Sequence, residues 1–138
     1  MSQAVLELTP SRLSARNIGG LVEFRLRRLQ MAQVSTRGDI TQVLTAMGGR
    51  TTSSSFRGMT SHAPGNFTLH TTTTPGTRAW IKQVAHILGH YHLHYILKHR
   101  GSPAGVIRCQ NGGQVEREAD VFAQVLLAAG ARSAAEAA

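Results

Sequence analysis

Carboxylates are scarce in this 138-residue sequence, which has 7 aspartate and glutamate residues against 15 lysine and arginine residues. None of them lies between Asp39 and Glu116. Any carboxylate chemistry in the middle of the chain must therefore take its acid from the C-terminal part through folding. The net charge of +8 favours anionic partners, nucleic acid included. Nearly all of the basic residues are arginine, however, a bias that a GC-rich genome also produces.

Cysteine and long apolar runs are also scarce. The single cysteine, Cys109, cannot form an internal disulfide, which agrees with a reducing compartment and predicts a small, buried, apolar role. No apolar run reaches the roughly eighteen residues of a membrane span. The first residues, MSQAVLELTPSR, have neither the basic nor the apolar region of a signal peptide. We therefore expect a cytoplasmic protein without a membrane partner.

The composition, 41% hydrophobic and 16% charged, predicts one soluble globular domain over residues 1–138, with residues 1–10 and 131–138 flexible. Its N-terminal part predicts two helices, the first from about 19 to 34. Thr36 and Asp39 then form a capping-box pattern at the start of a short second helix, which a glycine pair ends. These helices either cover a sheet or form a basic helix-turn-helix that contacts nucleic acid.

Residues 50–74, which are rich in threonine and serine, predict two or three short antiparallel strands. The stretch NFTLHTT alternates as a half-buried strand does, and the preceding APGN is typical of a turn. We expect one strand near 51–57 and another near 66–73. His62 and the threonine run are expected in loops or at an edge of the sheet.

A long helix is predicted from 75 to 99, and it contains HILGHYHLHY, in which four of ten residues are histidine. His86 and His90 are four residues apart, so their imidazoles project from the same face and can bind one zinc ion. His94 is one turn further along and drifts by about 40° from that line, which makes it a weaker ligand. A lone His-x-x-x-His pattern is weak evidence for a metal.

A second helix, predicted from 114 to 129, carries Glu116, Glu118 and Asp120 ahead of its apolar residues. Acids in a first turn also complement the helix dipole, which explains them without a metal. Two histidines on one helix, followed by a Glu-x-x-x-Asp helix, are nevertheless similar to the zincin pattern. There the glutamate is the third ligand, and the aspartate orients a ligating histidine.

Together the two helices resemble the ImmA/IrrE-type metallopeptidases, small domains associated with mobile elements, phage immunity and stress regulation. The family signature runs Ala-His-Glu-Leu-Gly-His and later Glu-x-Glu-Ala-Asp/Asn-x-Phe-Ala-x-x-Leu-Leu, and its counterparts here are AHILGHYHLH and EREADVFAQVLL. The resemblance covers about residues 38–130 and is strongest at 75–130. It implies an α+β, zincin-like minimal domain in which the active-site helix and the Glu-bearing helix pack on a small antiparallel sheet, with additional N-terminal helices.

The resemblance also implies a zinc site. The ligands that it implies are His86, His90 and Glu116, with Glu118 and His94 as alternatives, and Asp120 stands beside them to orient a ligand. Gly89 matches the glycine of the family, at a point where a side chain would crowd the packing helix.

The departure from the family pattern is Ile87, which stands where the signature has a glutamate. In a metallopeptidase this glutamate takes a proton from the zinc-bound water and delivers it to the leaving amine, a contribution of about 10² to 10⁴ in rate. Isoleucine can do neither. Zinc alone still lowers the pKa of bound water toward about 7, so weak hydrolysis stays possible, with His94 or His70 as a substitute base.

The sequence therefore favours a degenerate metallopeptidase domain, inactive or weakly active, that serves a phage or mobile element as a regulatory protein. It is expected to bind a protein partner, such as a repressor or regulator, without cutting it. The alternative is an active zinc endopeptidase that cleaves such a partner with an unusual base. A nucleic-acid-binding regulator that uses the basic N-terminal helices is a lower alternative, and a substitution designed at Ile87 to trap a substrate also fits.

Overall fold

The structure, a computed structural model, describes residues 4–31, 34–99 and 103–137. These residues form the α+β fold that the sequence predicts, with a small mixed sheet of four strands. In chain order the elements are α1 (Ala15–Arg28), α2 (Arg37–Ala46), β1 (Gly49–Ser53), β2 (Gly58–Ala63), β3 (Asn66–Thr71), α3 (Arg78–His90), a π-helical segment (Tyr91–Ile96), β4 (Gly105–Arg108) and α4 (Gln114–Ala137).

Helix α1 begins and ends earlier than the predicted limits of 19 and 34. Ser14 caps its N-terminus, because the side chain of this residue accepts a hydrogen bond from the backbone N–H of Asn17 at 3.1 Å. The helix ends at Arg28, and soon afterwards Gln30 has the left-handed φ of 56°. Residues 32–33 of the predicted range lie outside the described residues. The apolar pattern is therefore correct, whereas the limits depend on the cap and the turn.

Helix α2 has the predicted capping box. The side chain of Thr36 accepts a hydrogen bond from the backbone N–H of Asp39, and the Asp39 carboxylate accepts one from the backbone N–H of Thr36, each at 3.1 Å. After the helix, Gly48 reverses the chain with a φ of 88°. Helix α1 packs mainly on α4, whereas α2 packs on α3 and β1. The expectation that these helices cover a sheet is thus confirmed only for α2, because α1 packs mainly on another helix.

The sheet has the strand order β1-β3-β2-β4. Strands β2 and β3 form a hairpin across the predicted APGN turn, in which Gly65 has a φ of 71°. The prediction of a purely antiparallel sheet is wrong, because β1 pairs with β3 in parallel. The hairpin places β3 in the middle of the sheet, running in the same direction as β1. Strand β1 begins before the predicted start at residue 51 and ends before the predicted end at residue 57. His62 lies in β2 instead of in a loop.

Strand β4 was not predicted, and it extends the sheet beside β2. Met59 pairs with Leu69 on one side and with Ile107 on the other, and all three side chains are completely buried. These three side chains therefore lie on the face of the sheet that packs on the core. Beyond β4, the backbone of residues 4–6 hydrogen-bonds to Val106, with two N–H···O distances of 2.8 Å.

Helix α3 begins at Arg78, after the cap residue Thr77, instead of at residue 75. From Tyr91 the chain continues as a π-helix, which bonds i to i+5 and therefore advances by a smaller angle per residue than an α-helix. The smaller advance brings His94 back toward the line of His90. Two ring nitrogens of these residues lie 2.9 Å apart. His94 therefore stays beside His90 instead of drifting away, although it is not among the residues that converge in the candidate metal centre described below.

Helix α4 begins at Gln114, as predicted, and continues past the predicted end at 129. It packs closely on α3 at Gly89, where a Cβ atom would lie 3.0 Å from Ala119 Cα, Ala119 O and Phe122 Cβ. The prediction that a side chain at Gly89 would crowd the packing helix is confirmed. Among the described residues, none of the helices has the length and apolar character needed to cross a membrane.

Candidate metal centre

Four side chains from three parts of the chain converge next to the contact between α3 and α4. His86 and His90 lie one turn apart on α3, Glu116 is in the first turn of α4, and Cys109 directly follows β4. The atoms that these residues offer to a metal all lie within 4.8 Å of one another. The predicted contact between the two helices is confirmed, and the group can hold a metal ion.

Glu116 lies between the two histidines. Its Oε1 is hydrogen-bonded to His86 Nε2 at 2.9 Å, and its Oε2 accepts a hydrogen bond from the backbone N–H of Gln110 at 3.0 Å. Burial opposes ionisation of this carboxyl group, but the contacts with His86 and His90 and the Gln110 N–H hold the pKa of Glu116 well below its usual range. The side chain is therefore a carboxylate, the form that binds a metal.

His86 is held by an acid at each ring nitrogen. Its Nδ1 lies 2.7 Å from Oδ1 of Asp120, and its Nε2 contacts Glu116. Burial lowers the pKa of His86, but hydrogen bonds with Cys109, Glu116 and Asp120 outweigh burial and raise the pKa to about 10. Without a metal the ring is therefore an imidazolium. A metal at Nε2 would replace one proton, while Asp120 would keep the Nδ1–H and the ring orientation, as predicted for this aspartate.

His90 is completely buried, and its Nε2 has no hydrogen-bond partner. This atom lies 3.1 Å from Glu116 Oε2, but the direction of the contact is not that of a hydrogen bond. A buried polar atom without a partner costs about 1–3 kcal/mol. Because the atom lies against the carboxylate of the cluster, a bound metal ion would satisfy it.

His94 and Glu118 lie behind His90, and the four converging ligands do not include them. His94 Nε2 is 2.8 Å from Glu118 Oε1, and the Glu118 carboxylate also accepts hydrogen bonds from the backbone N–H groups of Ser11 and Arg12 at 2.8 and 2.9 Å. If His94 donates from Nε2 to Glu118, its Nδ1 accepts from the Nδ1–H of His90. This arrangement leaves the lone pair of His90 Nε2 free for a metal.

The donor set fits zinc better than it fits magnesium or calcium. Zinc takes nitrogen, sulfur and carboxylate ligands in a tetrahedron, whereas magnesium and calcium prefer oxygen alone. Zinc–ligand bonds of about 2.0–2.3 Å place tetrahedral ligand atoms roughly 3.3–3.8 Å apart. The separations here, from 2.9 Å for His86 Nε2–Glu116 Oε1 to at most 4.8 Å, bracket that range.

Ile87, at the position of the catalytic glutamate in the family signature, is completely buried and belongs to the hydrophobic core. His70, one of the two predicted substitute bases, lies on β3 instead of in the cluster. Its two ring nitrogens are each hydrogen-bonded at 2.7 Å, one to Ser54 Oγ and the other to Thr60 Oγ1. Its place on the sheet does not favour a role as base at the metal site.

A surface groove of about 490 Å³ reaches the cluster from the side of Cys109. The residues that line it are Val5, Leu6, Glu7, Leu8, Arg108, Cys109 and Gln110. Of the four converging residues, only Cys109 lines this groove, so the groove meets the cluster at this residue.

Cys109 is the site residue that sequence reasoning missed. Its predicted role as a small, buried, apolar residue is confirmed only in part, because it packs half-buried against the core and also contacts His86 and His90. The available signal was the position of the only cysteine, seven residues before Glu116. Its spacing from the other ligands follows no known metal-binding motif. Its contact with the histidines depends on strand β4, which was not predicted.

Comparisons of the chain with models of known protein families, with curated proteins and with solved structures gave no match. The resemblance to the ImmA/IrrE-type metallopeptidases therefore depends on the two helical motifs alone. Independently of that resemblance, the described residues include a cluster of His86, His90, Cys109 and Glu116 that can hold a metal ion.

Proposed function

We propose that this chain is a degenerate ImmA/IrrE-type metallopeptidase domain that holds a zinc ion and acts by binding a protein partner without cleaving it. The partner class that the resemblance suggests is a repressor or another regulator, in the setting of a phage or mobile element. The metal-ligating residues are His86, His90 and Glu116, and Asp120 orients His86.

The observation that carries this proposal is the environment of Ile87. A general base must reach both the metal-bound water and the leaving amine, so it needs a side chain beside the metal that can take up and release a proton. Ile87 is apolar and 0% exposed, in the middle of a helix whose neighbouring residues form the core. Position 87 thus contributes to the packing of the core, as expected of a domain that binds its partner without cleaving it.

The acids around the cluster already have other partners. Asp120 is bound to His86, and Glu118 is bound to His94 and to two backbone N–H groups. Glu116 contacts both histidine ligands. Proton transfer by any of these groups would break contacts that hold the site together, so none of them is a good substitute for the missing glutamate.

The alternative, an active peptidase with His94 as base, is less well supported. His94 is completely buried, and its two ring nitrogens contact His90 and Glu118. To reach a water molecule at the metal, this side chain would have to leave both partners and pass His90.

The test uses the zinc-loaded full-length chain and candidate repressor and regulator proteins. Binding is measured by isothermal titration calorimetry, and the integrity of each candidate is measured by intact-mass spectrometry after long incubation. We expect saturable binding of a candidate whose mass does not change. Cleavage that requires zinc and disappears in the His90→Ala variant would contradict the proposal. An ImmA/IrrE-type peptidase with glutamate at the position matching Ile87 serves as the positive control.

A further inference from the structure

Cys109 is placed at the metal cluster by the end of β4. Its backbone N–H donates a hydrogen bond to the carbonyl oxygen of Arg57 at 2.9 Å, which fixes the residue beside the neighbouring strand. From there its sulfur lies among the donor atoms of His86, His90 and Glu116, all within 4.8 Å of one another. The thiol is thus held within reach of the ion that these three residues can bind.

The sulfur atom of Cys109 lies beside the ring nitrogens that His86 and His90 offer to a metal. The thiolate is the form of cysteine that binds metals.

A metal-free explanation of Cys109 leaves one observation unexplained. A thiolate beside two histidines can be a simple ion pair, and this would account for its contacts with both rings. It would not satisfy the Nε2 atom of His90, which is completely buried and makes no hydrogen bond of acceptable geometry, although Glu116 and Cys109 lie near it. The Nδ1 atoms of both histidines are engaged by Asp120 and by His94. The Nε2 atoms of both rings face the Glu116 carboxylate, at 2.9 and 3.1 Å, where a common metal ion would bind.

We propose that the Cys109 thiolate is the fourth ligand of this metal and occupies the position that a hydrolytic water molecule would need. The inference depends on the proposed zinc binding and specifies its form, a closed centre of two histidines, one cysteine and one glutamate. Structural zinc sites have four protein ligands, whereas catalytic sites keep one position open for water or substrate. A closed centre needs no general base, which agrees with the isoleucine at position 87.

Cobalt substitution tests this inference directly. Because Cys109 is the only cysteine in the chain, a thiolate-to-cobalt charge-transfer band in the near ultraviolet can come from no other residue. We expect the band in the wild-type Co²⁺ complex, together with the intense visible bands of tetrahedral cobalt. Cys109→Ser should lose the near-ultraviolet band and bind zinc at least about tenfold more weakly. The matched control, Gln110→Ala, changes an exposed neighbour and should keep the band.

The outcomes separate the inference from the proposed function. Wild-type protein that binds one Co²⁺ ion without the charge-transfer band overturns the role of Cys109, while the zinc proposal stands. Protein that binds neither ion overturns both. The wild-type spectrum decides even if Cys109→Ser does not fold.

Alkylation gives a second readout on the wild-type chain. The groove gives a small reagent such as iodoacetamide access to Cys109. We expect zinc to slow modification of the thiol by at least tenfold and a chelator to restore it, because a metal-bound thiolate is a poorer nucleophile. Equal rates with and without zinc would overturn the inference.

Discussion

Replacing Gly89 with alanine tests how far the candidate metal centre depends on the close packing of α3 on α4. The added Cβ atom would lie 3.0 Å from Ala119 Cα, from Ala119 O and from Phe122 Cβ. This is tighter than almost all real Cβ contacts, so the neighbouring atoms must give by a few tenths of an ångström. Two of the three atoms belong to the backbone, so rotation of a side chain cannot relieve the contact.

The size of the effect follows from two opposing terms. Overpacking of this kind costs about 1–3 kcal/mol, whereas alanine is better than glycine in a helix by about 1 kcal/mol. We expect the free energy of unfolding to fall by up to about 2 kcal/mol, which lowers Tm by up to roughly 8 °C in a domain of this size. Glu116 lies one turn from Ala119 on α4, and metal–ligand distances tolerate only about 0.2 Å, so zinc affinity should fall as well.

The assay is thermal unfolding of the wild type and of two glycine variants, with and without zinc. Gly20→Ala is the matched control, because Gly20 is also inside a helix but a Cβ atom there would have no neighbour within 4 Å. This control should gain up to about 1 kcal/mol of stability. If Gly89→Ala is as stable as Gly20→Ala and binds zinc as the wild type does, the packing argument is wrong.

Three further predictions concern the second helix, the support of the site and the missing base. Hydrogen bonds from the Ser35 and Thr36 backbone outweigh burial and lower the pKa of Asp39 below its ordinary 3.8, so its stabilising effect is complete above that value and is lost as the pH falls through the lowered pKa. Asp39→Asn should therefore make acid unfolding less steep, and urea titrations across this pH range measure the slope. His94→Ala should bind zinc about 10- to 100-fold more weakly without losing the Cys109 charge-transfer band with cobalt, because His94 orients a ligand instead of binding the metal. Competition with a zinc indicator measures the affinity, and an unchanged affinity would contradict this role of His94. Restoring peptidase activity should require two changes: Ile87→Glu to supply the base, and Cys109→Ala to free one coordination position of the metal. The control is the double variant with Ile87→Gln and Cys109→Ala, in which the glutamine has the shape of glutamate without its charge. Equal activity of the two folded double variants on a bound partner would contradict the role of the carboxylate.

The sequence predicted the parts of the fold that local patterns determine. The capping box at Thr36 and Asp39 depends on residues close together in the chain and was found as predicted. The contact at Gly89 joins distant residues; it was expected from the resemblance to the family, and the structure confirms it. The two helices that bring His86 and Glu116 together were also predicted, because their apolar stripes are long.

The parts that were missed depend on contacts between distant segments. The parallel pairing of β1 follows from which strand occupies the middle of the sheet, and β4 is a four-residue strand defined mainly by its pairing with β2. Cys109 reaches the cluster only because β4 ends there. The position of His94 depends on a π-helical segment, which apolar periodicity does not reveal.

The zinc content of the purified full-length chain tests the central claim most directly. We predict one zinc ion per chain by elemental analysis, which is lost in His90→Ala and retained in Gln110→Ala. Zinc at about 100 times its Kd should stabilise the wild type by about 2.7 kcal/mol, which raises Tm by roughly 10 °C over the chelated protein. A chain that carries no metal after exposure to zinc, and that melts at the same temperature with and without chelator, would contradict the account.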